Sequence, residues 1–155
     1  MATVDITKDT LQSTIEDNDI VLIDFWAEWC GPCRSFAPTY EAISEKYPNV
    51  KFAKVDTEAE QELAANFGIR SIPTLVAFRD QVGIFSQPGA LPGDALEDLI
   101  SQIEALDMDE IRKEIASEEA DGSEAELGSE ADGSEAELAS EASETDVAQE
   151  ASATT

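Results

Sequence analysis

The only two cysteines of this 155-residue chain, Cys30 and Cys33, stand three apart in Trp29-Cys30-Gly31-Pro32-Cys33, and there is no histidine anywhere. At the start of a helix, side chains three apart are neighbours about 5 to 6 Å from each other, within the Cα window that a disulfide accepts. The pair can therefore close and open a small-ring disulfide without unfolding anything. A helix N-terminus aims unpaired N–H groups and a partial positive charge at the first cysteine, which favours thiolate over thiol. This predicts Cys30 as the exposed nucleophile and Cys33, one turn inside, as the resolving thiol. Pro32 is tolerated because the first turn has no N–H partner to lose. Two blander readings compete. A structural disulfide across two intervening residues closes too little chain to stabilise much. A zinc site needs four ligands and would have to recruit carboxylates or a second chain, so no metal is expected.

Asp24 interrupts the apolar run Ile20-Val21-Leu22-Ile23-Asp24-Phe25-Trp26-Ala27, six positions before Cys30. Desolvation there would raise its pKa, and a carboxyl poised that way can take a proton from a nearby thiol, directly or through water. The plainer alternative is an aspartate at a strand end paired with a lysine, and Lys54 on the next strand is the candidate partner. The two are compatible, since a Lys54 ammonium near Asp24 would tune the same transfer. Ile72-Pro73-Thr74 is the third motif. A trans turn before a strand is the ordinary state; a cis bond would leave the backbone of Ile72 free to pair with an extended substrate.

The elements that must position these groups follow from periodicity. Residues 2–6 are weakly β-prone, and 7–17 read as a helix with Thr7 or Asp9 as N-cap. The run from Ile20 is what a strand buried on both faces looks like. Phe36, Ala37, Tyr40, Ile43 and Tyr47 recur at helical spacing until Pro48, with Pro38 inside the helix. Residues 50–55 read as a strand and 58–66 as a helix ended by Gly68. Residues 74–78 and 82–86 form a candidate antiparallel hairpin, and from Pro92 a last helix puts Leu96, Leu99, Ile100, Ile103 and Leu106 on one face. The order βαβαβαββα points to a mixed α/β sheet with helices on both sides.

The charge of -26 is uneven. Residues 1–108 hold nineteen acids and seven bases, and residues 109–155 hold sixteen and two. So acidic a surface repels phosphate backbones and anionic lipid, and neither nucleic acid nor membrane is expected as a partner. No apolar run approaches a bilayer span, and the N-terminus signals no secretion. Without histidine, Ser/His/Asp and Cys/His catalysis are excluded. The expected division is a domain over 1–108 and an acidic low-complexity tail over 109–155. Asp107-Met108-Asp109 reads as the end of one helix and the cap of a short second one at 109–117. An 11-residue repeat follows over 119–140, each unit offering one leucine, one or two glycines and four acids. That is too little apolar area to offset backbone entropy, and disorder is predicted.

Residues 2–106 resemble the thioredoxin family. Asp24-Phe25-Trp26-Ala27-Glu28-Trp29-Cys30-Gly31-Pro32-Cys33, Pro38, Lys54 in Ala-Lys-Val-Asp, Gly68-Ile69-Arg70-Ser71-Ile72-Pro73-Thr74 and Gly89-Ala90 fall where that family's pattern has them. The resemblance implies a thioredoxin fold: a central five-stranded mixed sheet in order 1-3-2-4-5 flanked by four helices. It implies a cis Pro73, a buried Asp24 acting as base towards Cys33, and a flat apolar docking surface of Trp29, Gly31, Pro32, Ile72, Pro73 and Gly89. Arg34 departs from the lysine common after the second cysteine. Asp80-Gln81 with a displaced Gly83 departs from the usual Asn-Gly hairpin turn.

The expected function is therefore protein-disulfide reduction by thiol–disulfide exchange. By resemblance, an external NADPH-dependent thioredoxin reductase would regenerate the dithiol, no cofactor would be bound, and disulfide-containing proteins would be the substrates of a cytoplasmic monomer. Gly-Pro between the cysteines resembles the reducing members of the family. The alternative is a binding or holdase module of the same fold in which the acidic tail mediates the partner interaction. High-salt adaptation is a further explanation of the acid excess.

Overall fold

The computed structural model describes residues 2–126, and the chain divides into two compact units, Met1–Leu106 and Asp107–Thr155. In the first unit β1 (Thr3–Asp5), α1 (Leu11–Glu16), β2 (Ile20–Trp26), α2 (Gly31–Lys46), β3 (Lys51–Asp56), α3 (Gln61–Asn66), β4 (Thr74–Arg79), β5 (Val82–Pro88) and α4 (Gly93–Glu104) follow in that order. The five strands form one sheet in the order β1-β3-β2-β4-β5. β3 runs parallel to both β1 and β2, whereas β4 is antiparallel to β2 and to β5. The expected sheet order and the four flanking helices are thus present.

β2 lies at the centre, which explains its apolar run: a strand with neighbours on both edges and helices on both faces has no wet side. Side chains alternate between the faces. Ile20 and Leu22 pack with Phe36, Tyr40 and Ile43 of α2 and Leu96, Ile100 and Ile103 of α4. Val21, Ile23 and Phe25 pack with Leu11 of α1 and Leu63 and Ala64 of α3. Asp24, at an even position, therefore points to the α2/α4 side.

Local chemistry sets several ends. α3 stops where Gly68 takes φ +65°, with the N–H groups of Gly68 and Ile69 donating to the carbonyls of Ala65 and Ala64; this helix-ending turn needs a left-handed residue. The β4–β5 turn places Asp80 and Gln81 at φ 49° and 70°, the two-residue geometry that ordinarily selects Asn-Gly. The C-terminal end of α4 is closed by Arg79, whose Nη1 donates to the carbonyls of Ile103, Glu104 and Leu106 at 2.6, 3.1 and 2.8 Å. A cation there also complements the helix dipole.

Several boundaries differ from expectation: α3 begins at Gln61 rather than at 58, and β5 runs on to Pro88. α1 begins only at Leu11, because residues 7–10 close a tighter turn in which Thr10 and Leu11 both donate to the Thr7 carbonyl. The second unit contains α5 (Met108–Glu126), longer than the expected helix at 109–117. It is preceded by Asp107, whose Oδ1 accepts from the N–H groups of Asp109 and Glu110, an N-cap arrangement. It runs into the first eight residues of the repeat, where alanine and glutamate are both strong helix formers. The disorder expected further on, over 127–155, lies outside the described residues. Among the described residues no helix is long and apolar enough to cross a membrane.

Candidate functional site

Cys30 is the N-cap of α2, in extended backbone at φ -85° and ψ 111°. Gly31 and Pro32 occupy the first turn, whose orphan N–H positions make proline harmless. Cys30 and Cys33 are joined as a disulfide with 5.2 Å between Cα atoms. The N–H of Cys33 donates to Cys30 Sγ at 3.2 Å, so the first-turn dipole and a direct N–H both bear on this sulfur. Charge that builds on Cys30 Sγ when the disulfide opens would be stabilised there.

The expected exposure of Cys30 is corrected. It is 4% exposed against 2% for Cys33, because the pair packs with Ala27, Trp26 and Ile72. Cys30 Sγ also lies 3.7 Å from the carbonyl oxygen of Ile72. The difference between the two cysteines is therefore one of orientation at the helix end and not of exposed area.

The Ile72–Pro73 bond is cis. Ile72 sits two residues before β4, beside the disulfide, and the carbonyl of Pro73 accepts from the N–H of Gly89 at 2.8 Å. Gly89 holds φ +104°, which a side chain would strain. Gly31, Pro32, Trp29 and Gly89 are exposed and Ile72 is half-buried around the cysteines. Pro73 is the exception in the predicted docking surface: it is buried, a support for the loop and not part of its face. Trp29 is the large apolar side chain most open to solvent among the described residues, at 66% exposure. Its indole Nε1–H donates to Glu58 Oε1 at 2.7 Å. Glu58 is itself held by the turn that Asp56 caps, with Asp56 Oδ1 accepting from the Glu58 N–H at 2.9 Å.

A row of charge crosses strands β1, β3 and β2. The register pairs Asp24 of β2 with Lys54 of β3, and Lys54 with Asp5 of β1, so the three side chains share the α2 side of the sheet. Asp24 is 1% exposed, and neither carboxyl oxygen has a hydrogen-bond partner. Burial pushes its pKa up to about 7, against the smaller opposing effect of the Lys54 charge. The plainer alternative, an Asp24–Lys54 pair, is not made. The Lys54 ammonium lies instead over the Trp26 ring, 4.7 Å from its centroid.

Two residues of this neighbourhood were not singled out by sequence reasoning. Tyr40, one member of the α2 stripe, is fully buried and its hydroxyl lies 3.0 and 2.8 Å from the carbonyls of Leu22 and Ala53. Burial first, and then the Asp24 charge, holds its pKa well above the ordinary phenol value. Trp26 follows Asp24 by two and so shares its face; period-two alternation was the signal that could have found it. No group of three or more cysteine and carboxylate side chains suited to a metal occurs among the described residues.

The sequence and the fold both have close counterparts. A family model described as Thioredoxin matches residues 2–102. The chain is 57% identical over 119 residues to a putative thioredoxin 2 of Streptomyces coelicolor, spanning 77% of this chain and 89% of that one. It is 38% identical over 104 residues to a thioredoxin of Porphyra purpurea, spanning 66% and 97%. The solved structure of a mutant thioredoxin from Halobacterium salinarum NRC-1 aligns with a TM-score of 0.63 at 37% identity, over 68% of this chain and 93% of that one.

Proposed function

This chain belongs to the thioredoxin family, and on that premise we propose how its residues divide the work of reducing protein disulfides. The reaction is thiol–disulfide exchange through Cys30 and Cys33, and the two sulfurs carry both electrons, so the exchange itself needs no bound cofactor. Cys30 thiolate attacks one sulfur of a target disulfide, forming a mixed disulfide and expelling the target's other sulfur as thiolate. Cys33, once deprotonated, attacks Cys30 Sγ, which closes the Cys30–Cys33 disulfide and releases the second target thiolate. The target gains two electrons and the dithiol loses two.

Asp24 is the base that receives the Cys33 proton. The observation that carries this role is its position: a buried carboxyl without a hydrogen-bond partner, on the α2 side of the central strand, with a pKa raised to about 7. Such a group exchanges a proton readily near neutral pH. Lys54 supplies the nearby positive charge that keeps part of the Asp24 population ionised. Trp29, Gly31, Pro32, Ile72 and Gly89 form the docking face, and Pro73 supports it from beneath. The face suits an extended target segment lying beside Ile72, with Trp29 against the target's apolar side chains.

Regeneration requires a disulfide reductase; an NADPH-dependent flavoenzyme is the form proposed here, with cytoplasmic work as a monomer. The Gly31-Pro32 pair, like that of reducing members, supports this direction. Residues 1–108 act as the redox domain and 109–155 as an appended acidic tail. The test is insulin reduction by dithiothreitol. The intact protein should accelerate it strongly and Cys30→Ser should abolish the acceleration. Failure of the intact protein to accelerate it would sink the assignment.

A further inference from the structure

We propose that Trp26 is a positioning residue for the Asp24 relay: its ring face holds the Lys54 ammonium at a fixed station, from which the lysine acts on Asp24 through space without pairing with it. The proposal rests on the reading of Asp24 and Lys54 given above and deepens it. A lysine in the middle of the Asp5–Lys54–Asp24 row has three places to put its charge. It can pair with Asp24, which would bury a second ion beside the first at a large desolvation cost. It can turn outwards to Asp5 and Glu41, which line the same pocket as Lys54, Arg34 and Thr3. Or it can lie on the Trp26 ring, where it is found, at 4.7 Å and inside the roughly 6 Å reach of a cation–π contact. Trp26 reaches the lysine because it sits two residues beyond Asp24 on the same face of β2, diagonal to Lys54 in the parallel register.

The charged and titratable groups around the pair come from every neighbouring element. Lys54 faces Asp24 from β3, Tyr40 comes from α2, and β4 contributes only Leu75 opposite Asp24. Asp5 from β1, and Arg34 and Glu41 from α2, share the pocket of Lys54. Glu41 also bonds to the Thr3 hydroxyl. Without the ring, the outward acids are the less costly destination for the ammonium, because they remain in contact with water. Asp24 would then lose the cation that lowers its pKa, and its midpoint would rise. The indole Nε1 of Trp26 is buried without a partner, so replacing the ring breaks no hydrogen bond that could confuse the reading.

The test is a carbon-13 NMR titration of the Asp24 carboxyl in the oxidised full-length protein, for Trp26→Leu, Trp26→Phe, Lys54→Met and the two double variants. Trp26→Leu should raise the Asp24 midpoint by on the order of half a pH unit to one pH unit. Trp26→Phe, which keeps a weaker ring face, should raise it less. In the Lys54→Met background neither change should raise it further. A midpoint that stays or falls in Trp26→Leu, or a rise of equal size without Lys54, would overturn the proposal. Should Trp26→Leu fail to fold, the Trp26→Phe cycle reads the same coupling at smaller amplitude. The titration needs no turnover, so it is independent of whether Asp24 serves as the base; that role is decided by Asp24→Asn kinetics, in which an unchanged resolving rate would reject it.

Discussion

Asp24 and Lys54 are register partners on adjacent parallel strands, yet the Lys54 ammonium lies over Trp26 and both Asp24 oxygens are buried without hydrogen bonds. An ionisable group left this way is a cost to the fold.

That cost is measurable. The folded pKa of Asp24, about 7, lies above its unpaired value of 3.8. A carboxyl raised on folding destabilises the native state progressively as pH climbs from the unfolded pKa to the folded one. Below about pH 4 both states are protonated and the penalty vanishes; above about pH 7 it is complete, at roughly 4 kcal/mol. Asp24→Asn should therefore be more stable than the parent at pH 7 by about 2 to 4 kcal/mol in urea unfolding, and the gap should close towards pH 4. A gap independent of pH would show that Asp24 is not the titrating group.

Cys33→Ser should leave the first attack intact and stop the second. Incubated with a disulfide-containing protein, this variant should accumulate a mixed disulfide through Cys30 that dithiothreitol cleaves, visible by mass spectrometry. Turnover in the insulin assay should fall by at least about a hundredfold, since the intermediate must wait for external thiol. Equal trapping by Cys30→Ser would reverse the assigned roles.

Trp29 is 66% exposed, so its removal touches docking more than folding. Trp29→Ala should lower kcat/KM for protein disulfides about tenfold and change stability by less than about 1 kcal/mol. Glu58→Ala, which only frees the ring from its 2.7 Å anchor, should cost less than Trp29→Ala itself. The check is steady-state insulin reduction beside thermal unfolding of the same samples.

Tyr40→Phe removes one hydroxyl shared between the Leu22 and Ala53 carbonyls. Loss of a buried hydrogen-bonding group of this kind should destabilise by about 1 to 2 kcal/mol. Circular dichroism and urea unfolding would detect it; a neutral result would mean that these carbonyls are satisfied by the sheet alone.

Deleting residues 109–155 should leave insulin reduction within about twofold of the full chain, because attack, proton transfer and docking are all assigned to residues 24–89. If instead the double variant Cys30→Ser, Cys33→Ser keeps the biological activity and the deletion loses it, the tail is the working part and the holdase reading holds.

Much of this protein was legible in order along the chain. The apolar run from Ile20 named the central strand because burial on both faces removes any need for polar residues. The cysteine spacing named its chemistry because three residues at a helix start fix the distance between sulfurs. Asp24 stood out because a carboxyl in such a run contradicts its surroundings. Left undecided was everything that depends on strands meeting across the sheet or loops meeting over it. The small exposure of Cys30 follows from Ile72, 42 positions away, packing beside it. The burial of Pro73 and the anchoring of Trp29 by Glu58 are likewise contacts between distant segments. The lysine's choice of Trp26 over Asp24 needed the β2–β3 register and the relative costs of desolvation and ring contact. The sequence by itself determined which groups could exchange electrons and protons, since that depends on residue type and local spacing. Only the tertiary structure decided how far each is shielded from water and which neighbour shares its charge, because dielectric and distance are properties of packing.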